Sequence, residues 1–168
     1  ASPSEIQFTA DHVIFMTMKS QHMAAALDDL AACGQPDVAI ICCQNGVANE
    51  AMALRRFTNT YGMVVFLPAT HVTPGEVVHY AHDSSGLLDT GRYPVGVDDV
   101  ITRVAQDLTG AGFSAEASKG AMRLKYAKLL QNLGNSLQAI AELGQEGKIV
   151  MKLLRDEALA CYSAASID

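Results

Sequence analysis

The 168-residue sequence predicts an α/β fold with a parallel sheet, followed by all-helical material. Two observations carry this expectation. Three short apolar runs rich in β-formers, at 12–18, 38–43 and 63–67, alternate with segments of helical spacing across short connections. Nothing after Ser118 has strand character. A first domain over 1–115 and a helical one over 116–168 are therefore expected.

The run 12–18 (HVIFMTM) reads as a strand buried on both faces. Segment 21–32 places Met23, Ala26, Leu27 and Leu30 at helical spacing, and Cys33-Gly34 ends it before a turn at 34–37. Residues 38–43 (VAIICC) form a second buried strand, and Gln44-Asn45-Gly46 a tight turn. A helix over 50–57 carries Met52, Leu54 and Phe57, and 63–67 (MVVFL) is the third strand. From 68 to 97, Pro68, Pro74, Pro94 and intervening glycines separate short runs, as in antiparallel strands and loops at a sheet edge. A helix over 98–108 has Asp98 or Asp99 near its N-terminus. Gly110-Ala111-Gly112 closes it, and 113–117 is extended. Ser118 opens a long helix reaching about Leu143, the segment 144–147 breaks it, and 148–165 is helical again.

The bulk numbers exclude several function classes. A composition 49% hydrophobic and 18% charged is that of a folded globular chain, not a disordered tail. A net charge of −6 with no basic block argues against nucleic-acid binding. No apolar run approaches the roughly 20 residues of a membrane span. The polar first ten residues, which include Glu5, do not resemble a secretory signal, so a cytoplasmic protein is expected. Cys33, Cys42, Cys43 and Cys161 form no CxxC pair and are expected to be buried free thiols. His71, His79 and His82 lie in one region, but no carboxylate or thiol completes a ligand set, so no metal is expected. GxSxG, P-loop, HExxH and GxGxxG patterns are all missing from these residues.

Three places could carry chemistry. Asn45, in the turn after the second strand, stands where open α/β sheets bind ligands, although Asn-Gly is also ordinary turn chemistry. Lys19, past the first strand, is either a phosphate-holding group or a solvated loop lysine. Along the third segment, Lys128, Asn132 and Asn135 recur at i, i+4 and i+7, with Ser136 a little further round. A cation beside amides on one helical stripe suits holding a small anion and donating a proton. The alternative is an exposed lysine on a surface helix.

Four pieces together resemble the ketopantoate reductase (2-dehydropantoate 2-reductase) family. They are Val13-Ile14-Phe15-Met16-Thr17-Met18-Lys19, Cys43-Gln44-Asn45-Gly46-Val47-Ala48-Asn49-Glu50, Gly75-Glu76-Val77-Val78-His79 and Lys125-Tyr126-Ala127-Lys128-Leu129-Leu130-Gln131-Asn132. They follow the family's order and approximate spacing. The resemblance implies an incomplete Rossmann-like parallel sheet followed by the start of an all-α C-terminal domain. It also implies NADPH-dependent reduction of ketopantoate, a 2-oxo acid, in pantothenate biosynthesis. Lys128 would then be the proton donor, and Asn132 would contact substrate. Asn45 would lie at the junction of cofactor and substrate, and Lys19 near the cofactor, NADP.

Two departures accompany the resemblance. The family's second asparagine, eight residues past its lysine, is replaced here by Ser136, with Asn135 one place early. Either is a candidate substrate contact. The family's GxGxxG segment and its later serine and glutamate are not among these residues, and the chain is expected to be cut at each end. Two alternatives follow: a reductase of another 2-oxo acid, and an inactive truncated paralogue serving binding or oligomerisation. The partner expected is a small-molecule 2-oxo acid, with a homodimer left open.

Overall fold

A computed structural model of the chain describes residues 3–80, 85–140 and 144–167. It divides into two compact units, one running up to Met122 and the other from Arg123. In the first unit, β1 (Val13–Met16), β2 (Ala39–Cys42) and β3 (Thr60–Met63) lie parallel, and β6 (Thr90–Arg92) closes the order β1-β2-β3-β6 antiparallel to β3. The parallel α/β sheet predicted by the sequence is therefore present. β4 (Ala69–Thr70) and β5 (Val78–His79) make a separate antiparallel pair.

β2 organises this unit because its side chains alternate between two cores. Ile40 and Cys42 face Met16, Met23, Leu27, Leu30, Ala53 and Phe57, where α1 (Met23–Ala31) and α2 (Asn49–Leu54) pack. Ala39 and Ile41 face Tyr61, Met63, Ile101 and Val104, where α3 (Asp99–Gly110) packs. A strand buried on both faces must be apolar throughout, and all four residues of β2 are buried. Asp98 caps α3, its side chain accepting from the Ile101 N–H.

The second unit is helical. α4 (Ala121–Asn132) spans the boundary between the units, α5 (Gly134–Ile140) follows after one residue, and α6 (Gln145–Ala164) is the longest helix. Tyr126 and Tyr162 meet edge to face, and the Tyr162 hydroxyl donates to the Tyr126 carbonyl at 3.0 Å. Among the described residues no helix is long and apolar enough to cross a membrane.

Several expectations need correction. β1 is not buried on both faces: Phe15 is 40% exposed, and of its four residues only Met16 is buried. The third strand lies earlier than 63–67, because Thr60 and Tyr61 supply buried side chains in register with Ile40 and Ile41. The stretch beyond it still pairs, through Val64 to Asp89 and Phe66 to Leu87. The single helix from Ser118 is two helices separated at Leu133, and α6 begins before Lys148, with Gly144 at its N-cap. All four cysteines are free, but only Cys42 is buried; Cys33 and Cys43 are partly covered and Cys161 is exposed.

Candidate active site

Two chain exits from the parallel sheet build a ledge in the first unit. Met16 pairs with Cys42, and the Cys43 N–H donates to the Met16 carbonyl at 3.1 Å, so β1 and β2 end at the same level. Past β1, Lys19 is extended and exposed, and it leads into a single 3₁₀ turn at Ser20–His22 before α1. Past β2 the chain turns through Gln44, Asn45 and Gly46. Asn45 is exposed, and Gly46 takes φ +86°, a conformation that a side chain would strain. The sequence's two strand-end candidates, Lys19 and Asn45, thus stand on neighbouring loops at the carboxyl ends of adjacent parallel strands.

Beneath them lies a layer that sequence reasoning passed over. Gln44 is buried, and its Nε2 points at the sulfurs of Met23 and Met18, at 3.3 and 3.6 Å. Asn49, the first residue of α2, is 1% exposed and donates from Nδ2 to Ser20 Oγ at 3.0 Å. Glu50 beside it is wholly buried. The available signal was a polar Asn49-Glu50 pair opening a helix whose inward positions are otherwise apolar.

In the second unit, Lys128 sits half-buried on α4. Burial first, and the like charge of Lys125 second, hold its pKa below the ordinary lysine value. Lys125, one turn earlier, is 4% exposed, a depth that lysines seldom reach. Asn132, one turn beyond Lys128, is half-buried at the last position of α4. There the predicted stripe is interrupted. Gly134 is buried where Met151 of α6 packs, and a Cβ on it would lie 3.0 Å from the Met151 methyl. Asn135 and Ser136 are exposed on α5, beyond the break. Ser136 shares with Asn132 a groove of about 410 Å³ walled by Leu133, Leu137, Val150 and Leu154, whereas Asn135 is not part of its lining.

Of the histidines, His79 bonds the Ser85 carbonyl at 2.9 Å, His71 is exposed and His82 lies outside the described residues. No group of three or more His, Cys, Asp or Glu side chains among the described residues could hold a metal ion.

The fold has solved counterparts. The chain is similar to a PanE/ApbA family ketopantoate reductase from Ralstonia eutropha (TM-score 0.80, 20% identity, 99% of this chain and 56% of that one). It is similar to a 2-dehydropantoate 2-reductase from Porphyromonas gingivalis (TM-score 0.82, 18% identity, 98% and 59%). It is also similar to D-mandelate dehydrogenase solved with NADH (TM-score 0.79, 17% identity, 94% and 55%). The chain thus spans little more than half the length of these proteins, and at such identities the likeness establishes the fold. The family rests on sequence: residues 2–92 match the model described as ketopantoate reductase PanE/ApbA. With a parallel sheet of the matching fold and more than half its length inside that model, the chain belongs to the ketopantoate reductase PanE/ApbA family.

Proposed function

We propose that the chain carries part of the active site of an NADPH-dependent reductase that converts ketopantoate to pantoate in pantothenate biosynthesis, with Lys128 as the general acid. The observation that carries the reading is Lys128 itself: a half-buried lysine whose pKa burial and Lys125 both lower, one helical turn before an amide side chain. A lysine brought down toward neutrality is a better proton donor than a solvated one. The bound dinucleotide would supply the hydride to the C2 carbonyl carbon. Lys128 Nζ would give its proton to the oxygen that becomes alkoxide there, leaving a 2-hydroxy acid and a neutral amine that solvent reprotonates. Its charge would also stabilise the developing oxyanion.

Each unit then has its own task. Lys19 and Asn45, exposed at the carboxyl ends of adjacent parallel strands, fit the cofactor side, where a cation and an amide meet the anionic, hydrogen-bonding surface of a dinucleotide. Asn132 and Ser136 are the substrate-side candidates, and they line one groove. Asn135 is the weaker of the two replacements for the family's second asparagine, because it lies outside that groove.

The test is Lys128→Ala in the intact protein. Turnover should fall about 10²–10⁴-fold, the usual worth of a positioned acid, with folding unchanged by circular dichroism. A loss under threefold would remove Lys128 from the role. A second reading, a reductase of another 2-oxo acid, is favoured by Ser136. A hydroxyl is shorter than the amide the family carries there and leaves room for a different side chain. Comparing kcat/KM for ketopantoate with that for other branched or aryl 2-oxo acids separates the two.

A further inference from the structure

We propose that Asn49 is a positioning residue: it clips the loop after β1 to the turn after β2 and so fixes the spacing of Lys19 and Asn45 for a nicotinamide dinucleotide. The inference rests on the cofactor-side reading of those two residues. Asn49 is 1% exposed, so its assigned role is indirect. It acts through Ser20.

The geometry is specific. β1 and β2 are joined by backbone pairing up to the bond from the Cys43 N–H to the Met16 carbonyl. Asn49 Nδ2 bridges them, donating to Ser20 Oγ at 3.0 Å. Ser20 directly follows Lys19 and opens the turn into α1, so a shift of Ser20 carries Lys19 with it. Asn49 lies four residues past Asn45 and begins α2, so it is anchored to the other exit. A second bridge, from Gln44 to Met18 and Met23, ends on thioether sulfurs, which are weak acceptors.

Burial makes this amide hard to explain by packing alone. Asn49 is 1% exposed, and its Oδ1 has no hydrogen-bond partner among the described residues. An apolar side chain there would avoid the cost of that unsatisfied acceptor. The amide is accounted for by its other end, which holds Ser20.

The experiment uses the intact protein and two readouts, the Kd of NADPH from its fluorescence and kcat at saturating cofactor. Ser20 is exposed, so Ser20→Ala should fold normally. It should weaken NADPH about fivefold, the worth of one net hydrogen bond, and leave saturated kcat within about twofold. Asn49→Ala should do the same, and the double variant should be no weaker than the worse single one, because both remove one bond. Ser20→Thr, which keeps the hydroxyl, should bind as the parent does. An unchanged Kd in Ser20→Ala, or additive losses in the double variant, would overturn the proposal. Lys19→Ala and Asn45→Ala separate its failure from that of the reading beneath it. If both leave NADPH binding unchanged, the cofactor-side reading falls and the clip falls with it. If they weaken binding while Ser20→Ala does not, only the clip is refuted.

Discussion

Replacing Asp98 should destabilise the first unit more than any surface carboxylate, because one side chain does three jobs. Its Oδ1 accepts from the Ile101 N–H at 3.1 Å and caps α3. Its Oδ2 accepts from the Tyr61 hydroxyl at 2.9 Å and from Arg92 Nη1 at 2.7 Å. Arg92 Nη2 is held in turn by the Thr58 carbonyl and Asn59 Oδ1, at 3.2 and 3.3 Å. Asp98→Ala loses the cap, about 1 kcal/mol. It breaks an ion pair whose side chains are each about a third exposed, which solvent screening holds to roughly 0.5 kcal/mol. It also leaves the hydroxyl of the buried Tyr61 without its acceptor, at about 1–2 kcal/mol. The sum is about 3 kcal/mol. Asp98→Asn keeps an acceptor for the cap and should cost about 1 kcal/mol.

Urea unfolding followed by circular dichroism measures both losses. With a slope of roughly 2 kcal/mol per molar urea, Asp98→Ala should lower the midpoint by about 1.5 M. The pH dependence gives an independent check. Burial pushes the Asp98 carboxyl up, but the Ile101 N–H, the Tyr61 hydroxyl and Arg92 together outweigh it, so the pKa is lowered in the folded protein. The ionised form is therefore worth most above the unfolded pKa of about 3.9, and its contribution is lost as pH falls through the folded value. The gap between the parent and Asp98→Asn should thus be full at neutral pH and close below about pH 4. Tyr61 remains a donor throughout, since burial and then Asp98 push its pKa up to about 12. An Asp98→Ala loss under about 0.5 kcal/mol would refute the reasoning, as would a gap that stays constant down to pH 3.

Two further outcomes follow from the same physical terms. If Lys128 is the general acid proposed above, it must be protonated to donate, so turnover should fall as pH rises through its lowered pKa. Lys125→Gln removes a like charge that lowers it, and the alkaline limb of the rate profile should move to higher pH; a limb that stays put or moves down contradicts the electrostatic account. Ile41 is fully buried in β2 against Tyr61, Ile101 and their neighbours, so Ile41→Ala should cost about 2–5 kcal/mol in denaturant unfolding, and a loss under 1 kcal/mol would mean that this core collapses around the gap.

How much was legible in the sequence follows from which forces each element depends on. β2 could be read directly because it is buried on both faces, and an unbroken apolar run has few other homes. β1 looked the same, but the face that carries Phe15 is only partly covered; a strand buried on one face and one buried on both can carry equal hydrophobicity. β3 was displaced because Thr60, Tyr61 and Gly62 lack the signature of an apolar run. Thr60 and Tyr61 pair with β2, Tyr61 packs with Ile101 and Val104 of α3, and Gly62 lies against Glu50 of α2 and Met122, none of which is a near neighbour in sequence. A capping aspartate at 98 or 99 was legible, since the cap is a local bond, but the Tyr61 and Arg92 partners of Asp98 lie 37 and 6 residues away.

The same division runs through the candidate site. Lys19 and Asn45 could be singled out as candidates because strand ends are local features of an α/β pattern, whereas the Asn49–Ser20 bond spans 29 residues and leaves no local signal. Lys128 and Asn132 keep their i, i+4 relation because both lie on α4. Asn135 does not keep its i+7 relation, because helical phase carries across seven residues only if the helix does, and this one stops at Asn132. Gly134 was read as a residue inside a continuous helix, yet it is buried in contact range of Met151 of α6. That contact comes from a helix more than ten residues away in sequence, so the phase of Asn135 and Ser136 is set by tertiary packing rather than by the repeat in which they are written. Ser136 returns to the groove beside Asn132 while Asn135 does not. The residue with the better sequence spacing is therefore the poorer candidate for substrate contact.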